Sequence, residues 1–219
     1  PHISDMEAEA KIYVKIRNHL PEQQKGHYSV AIYELDSEDR IGEKVSSCNS
    51  PVLYFPANTW MEDSISLKVL SPKRWSLEET NRYLVQVTVY KGKKKVDQYE
   101  VPFGFRTIEF THDNGFLLNG KRVQIQGTCN HHDLGALGTA INKVALRRQL
   151  QILKSFGCNA LRTSHNIPAP ELLELADKMG FLVMDEAFDC WKEGKQPGDY
   201  GSLFEQWHEK DLEALVCRD

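Results

Sequence analysis

The sequence predicts a mixed chain. An immunoglobulin-like antiparallel β-sandwich over residues 1–110 is followed, over 111–219, by the first part of an incomplete (β/α)8 barrel. Three observations carry this reading. Up to about Phe110 apolar residues recur with period two, the mark of half-buried strands. Beyond Asn142 the period turns helical, and short apolar strands alternate with helices. Polar residues then gather where those strands end, the face on which parallel barrels do chemistry.

In the first half, Ile12, Val14 and Ile16 alternate with charged or polar neighbours. The same holds for Tyr28, Val30 and Ile32, for Ile65, Leu67 and Val69, and for Val85, Val87 and Val89. Turn-rich segments separate them, including Asn18 to Gly26 and Asn49-Ser50-Pro51. No Cys-Trp-Cys pin is present, which excludes the antibody subtype. Phe103 to Phe110 leads out of the sandwich. Phe116 to Val123 reads as a hairpin with Asn119-Gly120 at its tip. It feeds Val123 to Gly127, the expected first barrel strand.

Asn142 is placed to cap a helix whose Leu146, Leu150 and Leu153 share one face, with Gly157 as its stop. Ala160-Leu161 is a short buried strand running into Arg162, Thr163, Ser164 and His165. Pro168 and Pro170 open a second helix, with Leu172, Leu175, Ala176 and Met179 on its apolar stripe and Gly180 ending it. Phe181 to Met184 is the next strand, ending in Asp185-Glu186. A last helix, Leu203 to about Val216, carries Phe204, Leu212 and Leu215 on one stripe with Trp207 beside it. Three strand–helix pairs are present where a closed barrel needs eight, so the chain is expected to be part of a longer one.

Composition narrows the function classes. The chain has 219 residues, 41% of them hydrophobic and 26% charged, as in a soluble globular protein of one large domain or two ordinary ones. A net charge of −4 points to neither a nucleic-acid nor an anionic-membrane partner. The Lys91-Gly92-Lys93-Lys94-Lys95 run reads as a solvated hairpin tip. No apolar run is long enough to cross a bilayer and no signal peptide opens the chain; its compartment is left unassigned. The five cysteines form no Cys-x-x-Cys motif and read as free thiols.

The polar constellation allows more than one chemistry. His131, His132 and Asp133 invite a metal reading, but neighbours on an extended segment point opposite ways and rarely share an ion. Arg162, at a strand end expected to be buried, needs a carboxylate, and Asp185 or Glu186 can supply it. Adjacent residues seldom converge on one substrate atom, so of that acidic pair one is read as support for the site and the other as structural. Trp191 either stacks on a ring face or packs in the core.

Arg162-Thr-Ser-His-Asn-Ile-Pro-Ala-Pro-Glu-Leu-Leu173 and Met179-Gly-Phe-Leu-Val-Met-Asp-Glu-Ala-Phe-Asp189 closely resemble the catalytic domain of the glycoside hydrolases of family 2, which holds β-galactosidases, β-glucuronidases and β-mannosidases. The resemblance runs from Phe103-Gly-Phe-Arg106 to the last residue. It implies a retaining exo-β-glycosidase, most closely a β-galactosidase, with a carbohydrate substrate. It places His131 as a sugar-hydroxyl contact, Arg162 beside the nucleophilic glutamate, and His165 facing the bound sugar. The expected substrate-binding set is therefore His165, His131, Arg162, Asp185, Glu186 and Trp191.

Three departures count. Cys190 and Lys192 stand where some members hold magnesium through a Glu and a His, so no cofactor or metal is expected in this chain. Ile167 replaces a usual proline. The Asn-Glu pair that carries the family's acid/base glutamate occurs nowhere in the sequence, and both catalytic carboxylates are expected outside it. The chain alone is thus expected to be inactive and to self-associate through its open barrel edge. The rival readings are a non-catalytic carbohydrate-binding or adaptor module, and a metallohydrolase built on His131, His132 and Asp133.

Overall fold

The computed structural model describes residues 2–219 and falls into two compact units, one through Arg122 and one from Val123 onward. The first contains β1 (Glu7–Arg17), β2 (Gln24–Leu35), β3 (Ile41–Asn49), β4 (Leu53–Phe55), β5 (Trp60–Leu70), β6 (Arg82–Lys91) and β7 (Lys94–Phe103). A small three-stranded sheet, β8 (Ile108–Thr111), β9 (Gly115–Leu118) and β10 (Lys121–Arg122), completes it. β1 pairs with β5, and the larger sheet runs β3-β2-β6-β7 with β4 joined to β2; all these pairings are antiparallel.

Period-two alternation produces this core. Val14, Leu67 and Val69 on one sheet meet Tyr28, Val30, Ile32, Tyr83 and Val85 on the other. The Tyr28 hydroxyl donates to Asp63 Oδ2 at 2.8 Å, tying the two sheets together. Burial and that carboxylate push the Tyr28 phenol well above its usual range. At one end, buried Asn18 donates through Nδ2 to the carbonyls of Glu22, Phe55 and Pro56 and accepts from Leu20 N, so four backbone groups are satisfied by one amide.

The β9–β10 turn is Asn119-Gly120, with φ of 53° and 76°, the two positive angles a type I′ turn demands. Asn119 does more than turn the chain. Its Oδ1 accepts from Thr107 N at 3.0 Å, and its Nδ2 donates to the carbonyl of fully buried Trp75 at 2.9 Å. Trp75 N in turn donates to Phe105 O, and the Arg106 guanidinium covers its ring at 4.8 Å.

The second unit is a parallel sheet, β11 (Gly127–His131), β12 (Ala160–Ser164) and β13 (Leu182–Met184), in that order. α1 (Lys143–Ser155) and α2 (Pro170–Met179) follow β11 and β12, and α3 (Phe204–Arg218) follows β13. Leu146 and Leu150 of α1, Leu161 of β12, Leu175 and Ala176 of α2, and Phe181 form its core. Asn142 Oδ1 caps α1 by accepting from Val144 N and Ala145 N. Pro170 opens α2, and Gly180, at φ 71°, closes it in the left-handed conformation. Lys154 Nζ donates to the carbonyls of Met179 and Gly180, so the end of α1 secures the end of α2. Among the described residues no helix is long and apolar enough to cross a membrane.

Two expectations shift. The first barrel strand is 127–131 rather than 123–127. Asn159 takes the place of a ladder there, accepting from Gln126 N and donating to Gln124 O, and regular pairing starts at Gly127, opposite Ala160. A side chain at Gly127 would put its Cβ 2.7 Å from the Ala160 carbonyl oxygen, so the register requires glycine. On α3 only Phe204 of the expected stripe is buried, while Leu212 is exposed and Leu215 half-buried.

Asn119→Ala removes two buried-side hydrogen bonds and strains a positive-φ site, and should destabilise the first unit by about 1–3 kcal/mol in urea unfolding followed by tryptophan fluorescence. Asn119→Gly keeps the backbone geometry and should lose only the hydrogen-bond part of that effect.

Candidate functional site

Along β12 the side chains alternate. Leu161 faces the helices, and Arg162 faces the opposite way, toward Cys129 of β11, its partner in the parallel register. The Arg162 Nη1 lies 3.5 Å from Cys129 Sγ. Regular β12–β13 pairing stops at Arg162 and Met184. Past that point side chains take over the cross-strand bonding. Thr163 Oγ1 accepts from Glu186 N at 3.0 Å and donates to Asp185 Oδ1 at 3.3 Å.

Glu186 is the centre of the cluster. One carboxylate oxygen receives Arg162 Nε and the other lies 2.7 Å from His165 Nδ1. Arg162 Nη2 approaches the same histidine nitrogen at 3.3 Å. With Nδ1–H donated to Glu186, His165 leaves its Nε2 free to meet a ligand. The His131 ring stands perpendicular to that of His165, with centroids 5.5 Å apart. His165, Arg162, Glu186 and His131 therefore share one locality at the carboxyl ends of β11, β12 and β13. The Arg162 guanidinium above all, and then His165, hold the Glu186 carboxyl below the usual carboxylate range, against the opposing effect of burial.

Asp185 turns elsewhere. Its Oδ2 is buried with no donor and stands beside the Asp219 carboxyl, while Arg218 donates to Asp219 and to the Pro168 carbonyl. Burial, and then the neighbouring Asp219, raise the Asp185 carboxyl to about 6, with Thr163 and Arg218 pulling the other way. The two adjacent acids thus serve different neighbourhoods.

Arg162 differs from expectation in exposure: its side chain keeps 41% of its accessible surface, because only β11 and β13 flank it. Its carboxylate partner is Glu186 rather than Asp185. Trp191 is 69% exposed and stacks on Phe204 at 5.9 Å, in an aromatic group with Phe188, Tyr200 and His208 rather than with His165. Neither core burial nor contact with the Glu186 cluster describes it. His132 and Asp133 line one hollow with His131, Thr163 and Ser164, and Asp133 Oδ1 accepts from Gly135 N. Among the described residues no three His, Cys, Asp or Glu side chains converge as metal ligands. Buried Cys190 and Lys192, whose ammonium lies 3.9 Å from Glu205, do not fit a magnesium site, since ammonium has no lone pair to give.

Sequence reasoning missed Thr163 and Cys129 as parts of the cluster. Strand parity was the available signal for Cys129, which sits directly across from Arg162.

Comparison with known proteins covers both units. Residues 1–106 match the family described as glycosyl hydrolases family 2, and residues 109–196 match its TIM barrel domain. β-Galactosidase BoGH2A of Bacteroides ovatus is 48% identical over 153 residues, covering 70% of this chain and 18% of that protein. A putative β-glucuronidase of Formosa agariphila is 42% identical over 159 residues, covering 72% of this chain and 15% of that protein. The chain thus spans less than a fifth of the length of these curated relatives. Among solved structures, a glycosyl hydrolase family 2 member from Bacteroides cellulosilyticus superposes with a TM-score of 0.89 at 32% identity, covering 100% of this chain and 28% of that one. A Bacteroides uniformis β-glucuronidase gives 0.77 at 28% identity, over 90% of this chain and 23% of that one.

The opposed proton affinities of the two acids set a pH dependence. Asp185, raised from an ordinary 3.8 to about 6, stabilises the fold fully below its unfolded value and ceases to as pH rises through about 6. Glu186, lowered, stabilises the fold above the ordinary carboxylate range and loses that contribution as pH falls through its folded value. Thermal melts between about pH 4 and 7.5 should show the second unit losing stability upward through this window, and Asp185→Asn should flatten the loss.

Proposed function

Because this chain belongs to glycosyl hydrolase family 2, we propose that it supplies the supporting sandwich and one side of the sugar pocket of a longer retaining exo-β-glycosidase, most closely a β-galactosidase. The observation that carries this reading is the Arg162–Glu186–His165 cluster, with His131 beside it, at the carboxyl ends of parallel strands. The identity to BoGH2A supports the galactoside preference, and the β-glucuronidase relatives make glucuronides the alternative substrate class. We place the functional division near residue 110, the sandwich supporting and the remainder binding; the family matches, which break between 106 and 109, support it.

In this reading each residue has a defined task. His165, its Nδ1–H fixed by Glu186, offers Nε2 as an acceptor to a sugar hydroxyl. His131 contributes a second imidazole from the neighbouring strand. Arg162 and Glu186 hold one another ionised, so the pocket wall carries fixed dipoles that need not reorganise when the sugar enters. Asp185 positions Thr163, and through it the Glu186 backbone. Trp191 offers an exposed ring face to an aglycone or neighbouring sugar. Retaining hydrolysis needs one carboxylic acid to protonate the leaving oxygen and a carboxylate to attack the anomeric carbon, about 5–5.5 Å apart. Neither Asp185 nor Glu186 suits these roles, since one is turned toward Asp219 and the other is bound by two cationic or hydrogen-bonding partners. The acid/base and nucleophile therefore belong to other strands of the parent barrel.

The 219-residue chain should not turn over 4-nitrophenyl β-galactoside or β-glucuronide, and turnover that resisted further purification but vanished in His165→Ala would refute this. In the parent enzyme, Glu186→Gln should lower kcat/KM by about a hundredfold through misplacement of His165 and Arg162. A parent inactive on both glycosides would overturn the glycosidase reading itself. The free outer edges of β11 and β13 also favour self-association of the isolated chain, which sedimentation should show as species larger than the monomer.

A further inference from the structure

The outward face of the β1–β5 ribbon carries exposed aromatic rings with cations beside them. The outward row of β1 begins with Glu7 and Glu9, opposite Leu70 and Lys68 of β5, where Lys68 bonds Glu7; from there to the end of the strand it is Lys11, Tyr13, Lys15 and Arg17, opposite Ser66, Ser64, Glu62 and Trp60. The inward residues, including Val14 and Leu67, fill the core, so the outward row is free of packing duty. Tyr13 is 76% exposed and Trp60 49% exposed. Lys11 Nζ lies 5.0 Å from the Tyr13 ring centre, and Lys15 and Arg17 lie 5.4 and 5.5 Å from that of Trp60. Glu62, bonded to Lys15 at 2.8 Å, is the one carboxylate set against these three cations within the eight positions. A positive aromatic strip therefore sits on a chain whose net charge is −4.

We propose that this face binds a carboxylated polysaccharide, a polymer of uronic acid residues. The inference lies beyond the barrel-side pocket and does not depend on which glycoside that pocket serves. A pyranose presents an apolar C–H face that packs on an aromatic ring, and Tyr13 and Trp60 offer two such rings on one flat surface. Ser64, opposite Tyr13, and Ser66, opposite Lys11, offer hydroxyls that both donate and accept. Along β1 Lys11 and Lys15 lie four residues apart, about 13 Å, with Tyr13 between them, and Arg17 follows Lys15 after about 6.6 Å, opposite Trp60. Cations set singly beside aromatic rings suit a polymer that carries separate carboxylates with apolar ring face between them. A heavily sulfated chain would call for clustered cations. Lysine and arginine already lying against the rings can swing from ring face to carboxylate without crossing buried surface.

The test is affinity electrophoresis of the chain in gels containing polygalacturonate, neutral galactan or heparin. Because the chain as a whole repels polyanions, retardation reports a local patch. Polygalacturonate should retard the chain, galactan should not, and about 0.5 M NaCl should largely release it. Trp60→Ala should weaken retardation by about tenfold, as should Tyr13→Ala, which serves if Trp60→Ala fails to fold by circular dichroism. Replacing Lys11, Lys15 and Arg17 together by Gln should abolish it. The proposal is overturned by no retardation in polygalacturonate, by equal retardation in galactan, by stronger retardation in heparin, or by an unchanged constant in a folded ring variant.

Discussion

The Glu186 carboxylate organises the polar end of the second unit. β12 and β13 cease to pair at Arg162 and Met184, and beyond that point no backbone ladder holds the two strand ends together. Glu186 replaces the ladder from both sides. Its N–H is taken by Thr163 Oγ1, and its two oxygens are taken by Arg162 and His165. Two side chains three positions apart, Arg162 in β12 and His165 just past its end, are thereby brought to one anion. Without it Arg162 would hold an uncompensated charge and His165 would have no partner to fix which ring nitrogen carries the proton. The orientation of the imidazole is thus set by a residue on the neighbouring strand.

The neighbouring acid shows how local geometry divides chemistry between adjacent positions. On an extended segment consecutive side chains point to opposite sides. Glu186 meets a guanidinium and an imidazole, which stabilise its charge. Asp185 meets Thr163 on one oxygen and another carboxyl on the other, in partly buried surroundings, which favour the proton. The same pair of residue types, one bond apart in sequence, therefore holds opposite protonation states over the same pH range.

Much of the fold was legible because it rests on local rules. Asn142 caps α1, Pro170 and Gly180 bracket α2, and Asn119-Gly120 makes its turn, each through a bond or a backbone angle that its own residue type dictates. Period-two alternation placed Val14, Tyr28, Val30, Ile32, Leu67, Val69 and Val85 in the core. What failed depends on distant partners. The start of β11 moved by several residues because Asn159, more than thirty positions away, bonds the segment before Gly127. Of the site, the Arg162–carboxylate pair and the nearness of His131 and His165 were readable from strand ends. The choice of Glu186 over Asp185 was not, since it turns on where the β12–β13 ladder stops. The α3 stripe went astray because helical periodicity identifies an apolar set but not what it packs against, and Phe204 draws the neighbouring aromatics to itself.

Alternation also frees as many positions as it fixes. Each strand that sends Val14 or Leu67 inward must send a neighbour outward, and folding places little demand on that outward row beyond solubility and strand propensity. Propensity alone accounts for an exposed Tyr or Trp on a ribbon, because aromatic residues suit a pleated surface. It does not account for three cations placed on those rings with one carboxylate set against them, in a chain that is acidic overall. Along the same row Lys68 is paired with Glu7 and Lys15 with Glu62, whereas Lys11 and Arg17 stand opposite Ser66 and Trp60 with no carboxylate in register. The cations left unpaired beside Tyr13 and Trp60, at one end of the β1–β5 face, are therefore better explained by an anionic ligand than by the sandwich that carries them.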